Sequence, residues 1–312
     1  MTIADAFVPV AITDRSGVDE SCHFGAVVVL DPDGAVAFSA GDPDVAIYPR
    51  SSMKPAQADA MLGAGFTGSA EQLALACASH DGSPVHLEIV RSILADAGLD
   101  ESALGNTPDW PLDDASAEAV IAAGGHRTAL YMNCSGKHAA MVATCLLNDW
   151  PTEGYLHPDH PLQQLITHRV EQLMGSVSHI GIDGCGAPAH VVELSGLARA
   201  YARLAHDRGE VWDAMHRFPE LVGGPERASA RLVAQVPDAM AKEGAEGVFA
   251  AGLPDGTAVA VKIADGAARA AGVVAAAALA AVGTDVDVMA IGDPIKGHGR
   301  AVGQLRPLVG SV

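Results

Sequence analysis

Ser51-Ser52-Met53-Lys54 sets a serine three residues before one of only five lysines in the chain. On a helical turn that spacing puts the hydroxyl and the amine on one face. A serine hydroxyl is a weak nucleophile until a base takes its proton, and a lysine serves as that base only when burial or nearby positive charge lowers its pKa. Arg50, directly before Ser51, is one such charge. Pro55 biases Lys54 away from α geometry. The plainer reading is a surface helix start with Ser51 as cap and Lys54 solvated. Chance alone supplies about a quarter of a match in a chain of this composition, so the pair needs company.

Two glycine-bearing segments offer it. Met132-Asn133-Cys134-Ser135-Gly136-Lys137-His138 packs a thiol, a hydroxyl, an amine and an imidazole around one glycine, and Gly181-Ile182-Asp183-Gly184-Cys185-Gly186-Ala187-Pro188 sets a second thiol near a carboxylate. If the two loops meet, Cys134 and Cys185 can hold zinc, with Lys137, His138 or Asp183 completing the shell. Lysine is an unusual ligand because its amine must first lose a proton. Two other readings stay open: both cysteines as small buried hydrophobes, like Cys22, Cys77 and Cys145, or Cys134 as a nucleophile with His138 as base. Ser79 closes an apolar helix, Glu71 to Ala78, in a turn that could face a cleft. The chain has no C-x-x-C, H-E-x-x-H, Walker A sequence or G-x-S-x-G elbow, and its G-x-G-x-x-G match, Gly63 to Gly68, follows no strand pattern. Dehydrogenase, NTPase and α/β-hydrolase chemistries are set aside.

These residues need elements to position them. GAVVVL and AVAFSA, joined by Asp31-Pro32-Asp33-Gly34, predict a hairpin over Gly25 to Ala40, and Leu253-Pro254-Asp255-Gly256 predicts a second over Gly247 to Asp265. In the second, Val259, Val261 and Ile263 point one way and Lys262 the other, among alanines, with room beside it. Between the hairpins the period is helical: Pro84 to Ala97 after Ser83, Lys137 to Leu147, Pro161 to Met174, and an alanine-rich helix after Gly266. The expected architecture is a single catalytic unit of two lobes. A sheet lobe comes from roughly 1–50 and 240–312, and a mainly helical lobe from roughly 51–239.

The 312 residues carry 19 Lys+Arg against 38 Asp+Glu, a net charge of -19 that repels nucleic acid and anionic membrane surfaces. The longest uncharged stretch, Ala270 to Thr284, is too short to cross a bilayer. Five widely spaced cysteines and an opening MTIADAFVPV without a signal-peptide pattern predict a cytoplasmic protein with free thiols.

Taken together, Arg50 to Pro55, Ala78-Ser79-His80, Asn133 to His138, Asp183 to Pro188 and Val261 to Gly266 resemble the rhizobial-type, class 3 L-asparaginases of the asparaginase II family. The resemblance runs in the same order over nearly the whole chain. Its most specific parts are Cys-Ser-Gly-Lys-His and Asp-Gly-Cys-Gly-Ala-Pro. It implies an α+β (α/β/α) fold like that of serine β-lactamases and penicillin-binding proteins, an antiparallel sheet flanked by helices with a helical lobe. It implies hydrolysis of L-asparagine to aspartate and ammonia by two serine-lysine pairs, carried over as Ser51 with Lys54 and Ser79 with Lys262. It also implies Zn²⁺ on Cys134, Lys137 and Cys185, substrate contacts from Arg50, His138 and Asp183, and a homodimer. A glutaminase on the same scaffold and a non-catalytic zinc or ligand binder are the alternatives. The chain lacks S-D-N, and its last strand reads V-K-I where β-lactamases carry K-T-G, which speaks against antibiotic hydrolysis.

Overall fold

In the computed structural model, which describes residues 2–310, the Asp31 carboxylate accepts the N–H groups of Asp33 and Ala35 at 3.0 and 2.9 Å. This Asx turn folds Val36–Ala40 back onto Val18–Leu30. Met1, Ser311 and Val312, at the ends of the expected sheet lobe, lie outside the described residues. The second hairpin forms as Val248–Gly252 paired with Ala258–Ile263. One antiparallel sheet takes up both hairpins. Its strands run Leu305–Pro307, Val8–Arg15, Val18–Leu30, Ala258–Ile263, Val248–Gly252 and Met240–Gly244, with Val36–Ala40 paired to Val18–Leu30 off that path. The sheet is thus assembled from both ends of the sequence.

Alternation along the strands divides the core into two layers. Val27, Val29, Val259, Val261, Ile263 and Phe249 share one cluster with the helix Ala271–Ala281, and Leu232 and Val233 of Ala228–Gln235 belong to it. Ala26, Val28, Leu30, Ala258, Ala260 and Met240 share the other with Leu194–Asp207 and the helical lobe. The sheet is therefore covered by helices on both faces, the expected α/β/α arrangement. The alanine-rich helix is buried from Ala271 through Leu279; its small side chains allow close approach to the sheet.

At the centre of the helical lobe lies Ser135–Leu147, buried at every position from Ser135 to Cys145. A Cβ on Gly136 would stand 2.5 Å from the Leu75 carbonyl, so the glycine lets this helix cross Ala70–Ala76 at close range. That crossing carries Lys137 and His138 inward. Among the described residues, no helix is long and apolar enough to cross a membrane.

Candidate active site

Arg50–Met53 forms a 3₁₀ turn that runs directly into the helix Lys54–Gly63, and the Lys54 N–H donates to the Ser51 carbonyl. Pro55 falls in the first turn of that helix, where a missing N–H costs nothing, so Ser51 and Lys54 share a turn despite it. Two bonds hold the turn: the Tyr201 hydroxyl donates to the Ser52 carbonyl at 2.8 Å, and Ser52 Oγ to the Pro49 carbonyl at 2.7 Å. Arg50 sits at φ +53°, the left-handed region that residues other than glycine rarely enter. Its guanidinium closes on Asp183 Oδ1, with Nε at 2.8 Å and Nη2 at 2.7 Å. Backbone strain of this kind collects at functional sites.

Behind the turn lie two amines. Lys54 is 1% exposed and donates to the Ala78 carbonyl and, at 3.0 Å, to Ser79 Oγ. Lys242 is 2% exposed and donates to the same Ser79 Oγ at 3.0 Å and to the Glu243 carbonyl at 2.7 Å. A neutral amine has two N–H donors and one lone pair, so each lysine as a free base has its donors satisfied. Charged, each would bury a third N–H. Burial first, and then the Lys54 charge, push the Lys242 pKa down to about 7.

This corrects one expectation. The lysine beside Ser79 is Lys242, on the edge strand Met240–Gly244, and not Lys262. Lys262 does project to the same face as Ala258 and Ala260, but near the end of its strand, where its amine donates to the Glu246 carbonyl at 2.5 Å and the Ile263 carbonyl at 2.6 Å. The missed signal is Lys242-Glu243-Gly244, a K-x-G on a strand, which keeps the lysine and the glycine of K-T-G. The glycine has a local reason: a Cβ on Gly244 would stand 2.5 Å from the Pro49 carbonyl, so only glycine lets this strand meet the serine turn.

The two glycine-bearing loops do meet. Lys137 Nζ donates to Cys185 Sγ at 3.3 Å, and Met132, Cys134, Cys185 and Ala187 form one small buried cluster. A hydrogen bond with Cys185 comes first, and with the Lys54 and Lys137 charges it outweighs burial, holding the Cys134 pKa well below the ordinary thiol value. Burial pulls the Lys137 pKa down, but Cys185, Cys134 and Asp183 together raise it. Asp183, with the Gly184 N–H at 2.8 Å on its Oδ1, is committed to Arg50. His138 Nδ1 lies 2.7 Å from the Tyr155 hydroxyl, which itself accepts the Gly105 N–H at 3.1 Å. With the Tyr155 hydrogen on Nδ1, the proton of the neutral ring sits on Nε2, which is buried without a hydrogen-bond partner.

The donor set fits zinc. Tetrahedral bonds of about 2.3 Å to sulfur and 2.0 Å to nitrogen place an S and an N about 3.5 Å apart. The Lys137–Cys185 separation is close to that edge. Among the described residues, no group of three or more His, Cys, Asp or Glu side chains converges as a metal site; a third donor beside the two thiols would have to be the Lys137 amine.

Of the ten residues singled out, the fold brings Lys54 to Ser79, Arg50 to Asp183 and Lys137 and Cys134 to Cys185, with Ser51 in the turn before Lys54 and His138 next to Lys137, and leaves out Lys262. The structure thus sets a buried serine-lysine cluster against the edge strand of an antiparallel sheet. The chain belongs to the L-asparaginase II family, which matches residues 11–307. That makes it an amidohydrolase of the asparaginase type. No curated protein matches it. Among solved structures it is similar to a β-lactamase from Mycobacterium bovis, at 16% identity over 82% of this chain and 94% of that one, TM-score 0.43. It is also similar to a putative β-lactamase from Bacteroides dorei DSM 17855, at 15% identity over 77% and 84%, TM-score 0.42.

Proposed function

We propose that the protein hydrolyses L-asparagine to L-aspartate and ammonia through an acyl-enzyme on Ser51. The observation that carries this reading is the Ser79 hydroxyl shared by two buried amines, Lys242 and Lys54, the second of which stands one turn after Ser51. Both amines bond to one oxygen, so their nitrogens cannot lie further apart than twice 3.0 Å. Two ammonium groups that close and that buried repel strongly, which keeps at least one neutral at pH 7.

Ser51 Oγ attacks the side-chain amide carbon, and its proton passes to Lys54 as Ser79 relays a Lys54 proton to the free amine of Lys242. Ser79 exchanges a proton between Lys54 and Lys242, which lets the pair donate one to the departing nitrogen. Ammonia leaves, and water cleaves the Ser51 aspartyl ester as the same amines take a proton from the water and return it to Ser51 Oγ. The Ser51 N–H, at the start of its turn, has no intrahelical acceptor and is available to the developing oxyanion. Arg50 and Asp183 offer a cation and an anion side by side, matching the α-carboxylate and α-ammonium of an amino-acid substrate. His138 lies close enough to the second charge cluster for Cys185 to act on its ring.

Cys134, Cys185 and Lys137 would hold Zn²⁺ with one position open, and the ion would supply a polarised water that orients substrate. The test is ammonia release from L-asparagine and L-glutamine, assayed in parallel with wild type and Ser51→Ala. Turnover of asparagine that is lost in S51A supports the reading; faster turnover of glutamine favours the glutaminase alternative, and full activity in S51A removes the mechanism.

A further inference from the structure

Ser79 and Lys242 reach each other from elements whose backbones are held elsewhere. The Ser79 N–H donates to the Val222 carbonyl at 2.9 Å, the His80 N–H to Asn133 at 3.1 Å and the Asp81 N–H to Gly223 at 3.1 Å. Met240–Gly244 takes its ladder bonds from Val248–Gly252. Both segments end on a carboxylate close to the reacting groups: Asp81 is two residues past Ser79, and Glu243 adjoins Lys242. One guanidinium grips both, with Arg227 Nη2 2.8 Å from Asp81 Oδ1 and Nη1 3.8 Å from Glu243 Oε2. Glu243 is fixed on its other oxygen by the Ser229 N–H at 3.1 Å. Strand alternation turns Glu243 away from the face that carries Lys242, so Arg227 grips the strand from behind and stands clear of the substrate side.

We propose that Arg227 is a positioning residue: by tying Asp81 to Glu243 it fixes Ser79 Oγ against the amine of Lys242. The inference rests on the serine-lysine reading above. A planar, forked cation can serve two carboxylates at once where an ammonium on a flexible stem serves one well, so arginine is the side chain this role requires. A cavity of about 240 Å³ lined by Arg227, Glu243, Gly244, Arg231 and Phe249 opens behind the clamp, large enough to admit a small cation in place of a truncated side chain.

The experiment compares wild type, Arg227→Ala and Arg227→Lys in steady-state ammonia release from L-asparagine. It adds ¹³C NMR at one fixed pH on protein labelled at lysine Cε, in which five lysines give five signals. R227A should lose at least tenfold in kcat with KM within about twofold, R227K should fall between, and millimolar ethylguanidinium should restore R227A but leave wild type unchanged. The Lys242 resonance should move in R227A while those of Lys262 and Lys296 stay. Wild-type kcat in R227A, or an unmoved Lys242 resonance, overturns the proposal. Wild type inactive on asparagine defeats the functional reading alone, since the resonance still decides the clamp. If R227A does not fold, the near-isosteric Glu243→Gln carries the same kinetic and NMR readouts.

Discussion

The hydroxyl of Ser79 and the amine of Lys242 lie 3.0 Å apart although 163 residues separate them in sequence. Through that contact the edge strand of the sheet meets the helical lobe. It also puts Lys242 beside Ser79 in the place expected for Lys262.

Lys242→Met should reduce kcat by about 10² to 10⁴, the usual worth of a positioned proton-transfer group. Lys262→Met should leave turnover within about twofold of wild type, because its amine serves only the Glu246 and Ile263 carbonyls. Equal loss in both variants, measured as kcat for ammonia release, contradicts this placement.

Stability should move the opposite way. Lys242 has a folded pKa of about 7 against an ordinary 10.5. Between those values the unfolded chain binds a proton that the folded site lacks, so stability rises with pH across roughly 7 to 10.5, and the full penalty applies below 7. The penalty is on the order of several kcal/mol. K242M removes it, and its melting temperature at pH 7 should exceed that of wild type while its activity is lost. The same titration places the acid limb of wild-type activity near pH 7, with rate rising as the amine is freed.

Much of this site is legible before any coordinates. The turn chemistry of Asp31 to Gly34 and the alternation of Val259, Val261 and Ile263 give the hairpins and their faces. The glycine-bearing loops announce themselves by crowding reactive side chains where a core has no use for them. Lys242 escapes because Met240-Ala241-Lys242-Glu243-Gly244 has two charges in five residues and no β-branched side chain, so propensity is silent. What makes it a strand is tertiary: pairing with Val248–Gly252 on one side and the serine turn against Gly244 on the other. Lys262 misleads for the converse reason, since alternation fixes which face a side chain takes but not how far along the strand the site lies.

Gly244→Ala should test the close approach at that edge. Its methyl would stand 2.5 Å from the Pro49 carbonyl, a backbone atom that cannot swing aside. Overpacking of this kind costs about 1 to 3 kcal/mol. Denaturant unfolding should show the loss, and kcat should fall with it because the strand and the Ser51 turn are forced apart; unchanged stability and rate would sink the packing argument.

Cys134→Ser and Cys185→Ser should each weaken zinc binding by at least tenfold in competition with a chromogenic chelator, while Cys145→Ser, buried in the helix Ser135–Leu147 and outside the cluster, should not. Binding should release protons, because the ligand set must become thiolate and free amine. Equal affinity in all four proteins would remove the site.

Acid-quenched mass spectrometry of the intact protein mixed with L-asparagine probes the nucleophile most directly. An aspartyl adduct that forms within the first turnover, maps to the peptide bearing Ser51 and is absent from S51A is the predicted result. Steady ammonia release with no adduct on that peptide, or with the adduct on Ser79, contradicts the account.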